Sequence, residues 1–143
     1  LKNMGNVVGT PVRVGVGTAS PSVELDVNGD IKAVSLTETS DARYKRGVTD
    51  LPNALETVSK LRGVRYYWNR EAYPEKTFED GPQLGFLAQE VREIVPEVVS
   101  EDDSGSLSLA YGKLVPLLVE AIKEQQARIQ ALEAEMSELQ STQ

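Results

Sequence analysis

Neither cysteine nor histidine occurs in the 143 residues, and these two absences remove most of the familiar catalytic repertoire. Without cysteine there is no disulfide framework, no thiol nucleophile and no thiolate metal site. Without histidine there is no Ser-His-Asp triad, no imidazole base and no ordinary zinc centre. Neither a cofactor nor a metal is expected. Positive charge is also in deficit: 15 Lys and Arg against 22 Asp and Glu leave a net charge of -7, which argues against a nucleic-acid partner. No apolar run approaches the roughly 20 residues of a membrane span, and no signal peptide is visible, so no membrane contact is expected of this stretch. The chain opens at Leu1 rather than Met and is expected to be a fragment or a processed product. What remains is an ordinary soluble composition, 40% hydrophobic and 26% charged, in which nucleophilic chemistry must run through Ser, Thr or Lys.

Three regions with different patterns follow one another. Residues 1–38 hold five of the 11 glycines, at Gly5, Gly9, Gly15, Gly17 and Gly29. Between them lie short β-prone runs at Val7–Val8, Pro11–Val16, Val23–Val27 and Ile31–Leu36. Strict alternation in Val23–Val27 predicts a half-buried strand, ended by the turn dipeptide Asn28–Gly29. Strands this short bury no face alone, so the segment is expected to form a β-rich fibre or stalk with other copies of the chain. A small sheet packed on the rest of the same chain is the competing reading.

Residues 39–113 read as a small mixed domain. Apolar residues at Leu51, Leu55, Val58 and Leu61 predict a short amphipathic helix, and Gly63–Trp68 predicts a strand. Residues 69–83 are polar, with Pro74, Gly81 and Pro82, and read as a loop. A second short helix is expected over Gln89–Ile94, stopped before Pro96, and Ser100–Ser106 reads as an acidic turn. Tyr66, Tyr67, Trp68, Tyr73 and Phe78 suit core packing better than a sugar-binding platform. Asp102–Asp103 lacks the ligand spacing of a calcium loop.

Residues 114–143 predict a long helix. Val115, Leu118, Ile122, Gln125, Ile129, Leu132, Met136 and Leu139 step by 3 and 4 without a break, which is the a/d seam of a coiled coil. Pro116 falls in the first turn, where its missing N–H costs little. Val119 and Ala121 widen the early seam beyond what a dimer needs, while Ile at a with Leu at d favours two strands. The wide stripe carries more weight, because this part of the helix must also pack on the domain. A helix folded back on its own domain is the alternative. The fold class is therefore α+β: a β-rich N-terminal stalk, a small mixed domain, and a long C-terminal helix forming a trimeric coiled coil.

The plausible nucleophile–base pair is Ser40 with Lys45, within Thr39-Ser40-Asp41-Ala42-Arg43-Tyr44-Lys45. A serine hydroxyl needs a base, and a lysine serves when desolvation lowers its pKa toward neutrality. Spacing alone does not select this pair, since Ser108 and Lys113 are also five apart. Positions i and i+5 do not face each other on a helix or a strand, so a turn is required. A solvated loop with Lys45 ion-paired to a carboxylate is the competing reading.

Four segments in order resemble the intramolecular chaperone domain of endosialidase-type phage tailspikes, a self-cleaving Ser-Lys peptidase family also found in tail fibres, neck appendages and the myelin regulatory factor. They are SDARYK at 40–45, LRGVRYYW at 61–68, GFLAQEVREIVPEVV at 85–99 and LAYGKLVPLLVEAIKEQ at 109–125. The stretch VGVGTASPSVELDVNGDIKA at 14–33 is similar to a repeat that often precedes such domains in fibre proteins. One departure is Arg46-Gly47, which displaces the usual branched apolar residue after the lysine. The resemblance implies a homotrimer that assists assembly of an upstream β-structured fibre or spike domain of the same chain and then cuts itself away. It implies Ser40 as nucleophile and Lys45 as general base, with Asp41 and Arg43 expected to orient the turn. It implies residues 39–113 as the auto-processing domain, and a virion location after assembly in the host cytoplasm.

The resemblance implies a cut at this serine. Attack of Ser40 on the Thr39 carbonyl closes a five-membered ring, which favours the Thr39–Ser40 bond; cutting Ser40–Asp41 needs another group or another chain as nucleophile. Two further functions compete: a non-cleaving structural trimerisation domain, and a self-cleaving domain of a membrane-tethered regulator.

Overall fold

The computed structural model describes residues 12–142, and its elements are short until the last. Val7–Val8 and Pro11 lie outside the described residues. In chain order the elements are β1 (Val14–Val16), β2 (Leu25–Val27), a 3-10 turn (Ala42–Tyr44), α1 (Ala54–Ser59), β3 (Val64–Tyr66), β4 (Gln83–Gly85), α2 (Ala88–Arg92), a 3-10 turn (Pro96–Val98), β5 (Val99–Glu101), β6 (Leu107–Leu109), a 3-10 turn (Tyr111–Lys113) and α3 (Leu114–Ser141). The mixed α and β content follows the sequence expectation. The strands pair two by two, β1 with β2, β3 with β4 and β5 with β6. The chain divides into two units: residues up to Ser40 with Tyr66–Gln83, and Asp41–Arg65 with Leu84 onward.

In the first unit β1 and β2 run parallel, with Val14 opposite Leu25 and Val16 opposite Val27. A parallel pair usually needs a crossover of a dozen or more residues; here residues 17–24 suffice. Gly17 at φ 71 turns the chain, in a conformation that favours glycine. A Cβ there would also lie 2.9 Å from the Asn28 carbonyl oxygen. Asn28–Gly29 follows the end of β2, as expected, and the Asn28 backbone N–H closes the parallel pair by donating to the Val16 carbonyl at 2.9 Å. One expectation is corrected. Residues 31–36 form no strand, since no neighbour offers them a ladder and Val34 and Leu36 stand fully in solvent. Val12, Val14, Val16, Val23 and Leu25 are exposed as well. After the strands, Trp68 stacks on Phe78 with ring centroids 4.2 Å apart and meets the Tyr66 ring edge-on at 5.0 Å. These three rings pack on one another rather than in the core cluster, and Trp68, Tyr67 and Tyr73 are exposed.

The second unit holds the core. Ala54, Val91, Val98, Leu114, Leu117 and Ala121 are buried, with Leu55, Val58, Leu61, Phe86, Val95, Val99 and Leu109 packed around them. Helix α1 starts later than expected, because Asn53 takes a left-handed φ of 56 immediately before Ala54. Leu51, counted as its first apolar position, is therefore exposed outside the helix. The acidic stretch is a hairpin rather than an isolated turn: β5 and β6 pair antiparallel, Val99 opposite Leu109. The Asp102 carboxylate closes it by accepting from the Ser104 and Ser106 backbone N–H groups, each at 2.9 Å. Polar alternation in these strands is too brief to be seen as periodic.

Helix α1 lies on α3, and a carboxylate joins them. The Glu124 side chain accepts the Ala54 N–H at 2.8 Å and the Leu55 N–H at 2.9 Å. Asn53 makes no side-chain cap, so Glu124 satisfies donors that a helix start leaves open. The Leu55 and then the Ala54 N–H hold the Glu124 carboxyl below its ordinary value of 4.5, helped by the Arg128 charge and opposed by partial burial. A depressed carboxylate stabilises the fold fully above that ordinary value, and the contribution disappears as pH falls below it through the folded value. Glu124→Gln is expected to lower the urea midpoint at neutral pH and to flatten its decline below pH 4.5. Parallel urea titrations of the two chains at neutral and acidic pH check this, and identical curves would contradict it.

Candidate functional site

Residues 41–45 form one 3-10 turn organised by Asp41. Its backbone is extended (φ -63, ψ 132), and its carboxylate accepts the Arg43 N–H at 2.8 Å, the capping geometry Asp favours. The Arg43 guanidinium folds back on the same carboxylate, Nε at 3.1 Å from both oxygens and Nη2 at 2.7 Å from Oδ2. This fork holds the Asp41 carboxyl below its ordinary value and raises Arg43. Tyr44 N–H donates to the Asp41 carbonyl at 3.1 Å, and Lys45 N–H to the Ala42 carbonyl at 3.0 Å. The turn that an i, i+5 partnership requires is thus present, and Asp41 and Arg43 are its fasteners. Thr39, Ser40 and Lys45 are all exposed, and Ser40 ends the first stretch of the first unit while Asp41 opens the second.

The α3 face expected to be a seam is exposed along its whole length. Val115, Leu118, Ile122, Ile129, Leu132, Met136 and Leu139 all face solvent, Ile122 at 65%, and Gln125 lies among them. The residues that α3 gives to its own core are the neighbouring stripe, Leu114, Leu117 and Ala121. Ala121 therefore belongs to the intrachain core, whereas Val119 remains on the exposed side. The helix has 28 residues, and beyond Glu124 none of the described residues covers it. An apolar recess of about 270 Å³, lined by Val58, Leu61, Phe86, Leu114, Leu117 and Leu118, opens beside the first seam positions.

Two residues escaped the sequence reading. Glu124 sits at a c position, where a solvated carboxylate is the default, and its partners lie about 70 residues away in the chain. Tyr111 donates nothing legible in sequence either; its hydroxyl accepts the Phe86 N–H at 3.0 Å, and its ring lies 6.0 Å from that of Phe86. Among the described residues there is no group of three or more acidic side chains placed to hold a metal ion, and no helix long and apolar enough to cross a membrane.

The described residues thus hold an exposed serine, an aspartate-fastened turn that ends at a lysine, and a long helix with an exposed apolar face. Residues 40–100 match the family described as chaperone of endosialidase. Phage fibre proteins are among the relatives of the chain. It is 34% identical over 119 residues to the long tail fiber protein Gp37 of Enterobacteria phage K3, covering 76% of this chain and 9% of that protein. It is 37% identical over 87 residues to Gp37 of Escherichia phage AR1, covering 59% and 8%. An uncharacterized membrane protein of Dictyostelium discoideum is 29% identical over 126 residues, covering 81% and 7%. The chain thus spans less than a tenth of the length of these curated relatives.

Proposed function

We propose that this chain is a trimerising intramolecular chaperone that assists assembly of an upstream β-structured fibre or spike domain and then releases itself by a single cut at Ser40. One coincidence carries the reading: the family match begins at residue 40, the first stretch of the first structural unit ends at Ser40, and the Asp41 turn starts at the same bond. Residues 1–38 are then the end of the fibre, 39–113 the auto-processing domain and 114–143 the coiled-coil helix, in a protein of the virion assembled in the host cytoplasm.

In this mechanism the Ser40 hydroxyl attacks the Thr39 carbonyl carbon while the Lys45 amine takes its proton. Collapse of the tetrahedral intermediate transfers the acyl group from the Ser40 nitrogen to its oxygen, and water hydrolyses the resulting ester. Backbone N–H groups of the turn are the available donors for the oxyanion. Lys45 is exposed in the single chain, and in this reading a neighbouring copy covers it and completes the site. Assembly thereby gates the cut. The exposed seam, and the recess beside Leu118, are the surfaces through which copies would meet.

Intact mass of the freshly expressed chain tests the reading. The expected result is a product beginning at Ser40, in line with the ring-size preference, and a chain that assembles fully yet stays whole would favour a structural trimerisation domain. The likeness to the Dictyostelium membrane protein supports a second reading, a self-cleaving domain of a membrane-tethered protein. A membrane span following Gln143 in the full-length chain would favour it, and a receptor-binding domain before Leu1 the fibre.

A further inference from the structure

We propose that Asn28–Gly29 is a deamidation site held shut by residues 75–77, and that it opens when that segment leaves. The Asn28 side chain is engaged at both ends. Its amide nitrogen donates to the Gly17 carbonyl at 3.3 Å and to the Glu75 carbonyl at 2.9 Å, and its oxygen accepts the Thr77 N–H at 3.2 Å. The next residue is glycine, with open space around its α-carbon, so no side chain hinders its backbone nitrogen. In that arrangement the Gly29 nitrogen attacks the Asn28 side-chain carbonyl carbon. The new N–C bond closes a five-membered imide, and ammonia leaves with the proton that the Gly29 nitrogen gives up. Water then opens the imide at either carbonyl, giving aspartate or isoaspartate.

The attack requires the Asn28 side chain to swing away from all three partners, so the folded chain reacts only through local opening. Three neutral hydrogen bonds make that opening rare enough to slow the reaction by about tenfold or more. The product does not restore the latch. A carboxylate at position 28 still accepts from Thr77, but it has no hydrogen to donate to the Gly17 and Glu75 carbonyls, whose oxygens it would face. Glu75 and Thr77 lie after Ser40 in the chain, and Asn28 before it. The statement that release unlocks the site rests on the proposed cut; the latch itself does not.

The test therefore uses the full chain carrying Ser40→Ala, incubated in mildly alkaline buffer with and without urea and mapped by peptide mass for the gain of about 1 Da at residue 28. The expected result is a rate about tenfold or more slower when folded than in urea. Thr77→Pro, which removes the backbone donor, should bring the folded rate up toward the urea value, while Thr77→Ala, which keeps it, should not. Asn28→Asp should speed hydrogen exchange across residues 70–80, an arm that needs no proline. Equal rates in buffer and in urea, or no reaction in urea, would overturn the site, and a Thr77→Pro chain as slow as its parent would overturn the latch. A wild-type chain that is never cut would remove the trigger and leave every rate in the Ser40→Ala background as predicted, so the two failures are distinct.

Discussion

Ser40→Ala is expected to leave a full-length chain that assembles normally and yields no fragment beginning at Ser40 or Asp41. Alanine removes the attacking oxygen, and residue 40 is exposed, so the fold loses no packing. Lys45→Arg should slow the cut by about 10²–10⁴-fold, the usual worth of a positioned general base, because guanidinium stays protonated and accepts no proton. The Lys45 backbone bond to Ala42 survives both changes, so the turn persists. Lys113→Arg is the control: it repeats the chemistry at the other i, i+5 pair, Ser108 with Lys113, and should cut at the wild-type rate. Gel and mass analysis over time reads all three. A Lys45→Arg chain that cuts as fast as wild type would remove Lys45 as the base.

The second large effect lies in the seam. Ile122→Asp with Ile129→Asp is expected to convert the proposed trimer into monomers. Each change places a charge without a partner where the proposed seam is dry, at roughly several kcal/mol per buried ion, and every 1.4 kcal/mol is about tenfold in association. Within a single chain both positions face solvent, at 65% and 42%, so the domain should stay folded. Light scattering or sedimentation equilibrium at micromolar concentration measures the assembly. If assembly gates the cut, this chain stays whole despite keeping Ser40 and Lys45. A monomer that cuts normally would keep the dyad and remove the gate, and a wild-type chain that is monomeric would remove the seam.

Local chemistry was legible in this sequence, and long-range contacts were not. Helix α3 was readable because its apolar residues repeat over 28 positions, enough for the period to stand out. The 41–45 turn was readable because its fasteners, Asp41 and Arg43, are two residues apart. The shift of α1 to Ala54 was hidden because Leu51 keeps the helical spacing while Asn53 breaks the backbone path. The missing strand at 31–36 shows that β-prone composition needs a partner before it becomes structure. Asn28 and Glu124 bind backbone groups 47 and 70 residues away, and no local pattern announces such partners. What the sequence made legible was local, the turn at 41–45 and the long helix, while the anchors Asn28 and Glu124 were found only in three dimensions.

Helix α3 serves two geometries at once. Its inward residues, Leu114, Leu117, Ala121 and Glu124, are bound to a straight-helix path by their own domain, with Glu124 as the last of them. The seam from Val115 to Leu139 follows a repeat of 3.5, from which a straight helix drifts by about 20° per heptad. The two demands are compatible over one heptad and diverge after it. Glu124 therefore marks the point where supercoiling can begin: once copies associate, the segment up to that residue stays aligned with its domain, and winding accumulates only beyond it. If copies associate as proposed, the same carboxylate that starts α1 would act as the clamp of a torsion spring, and strain from the coil would reach the start of α1 through two hydrogen bonds.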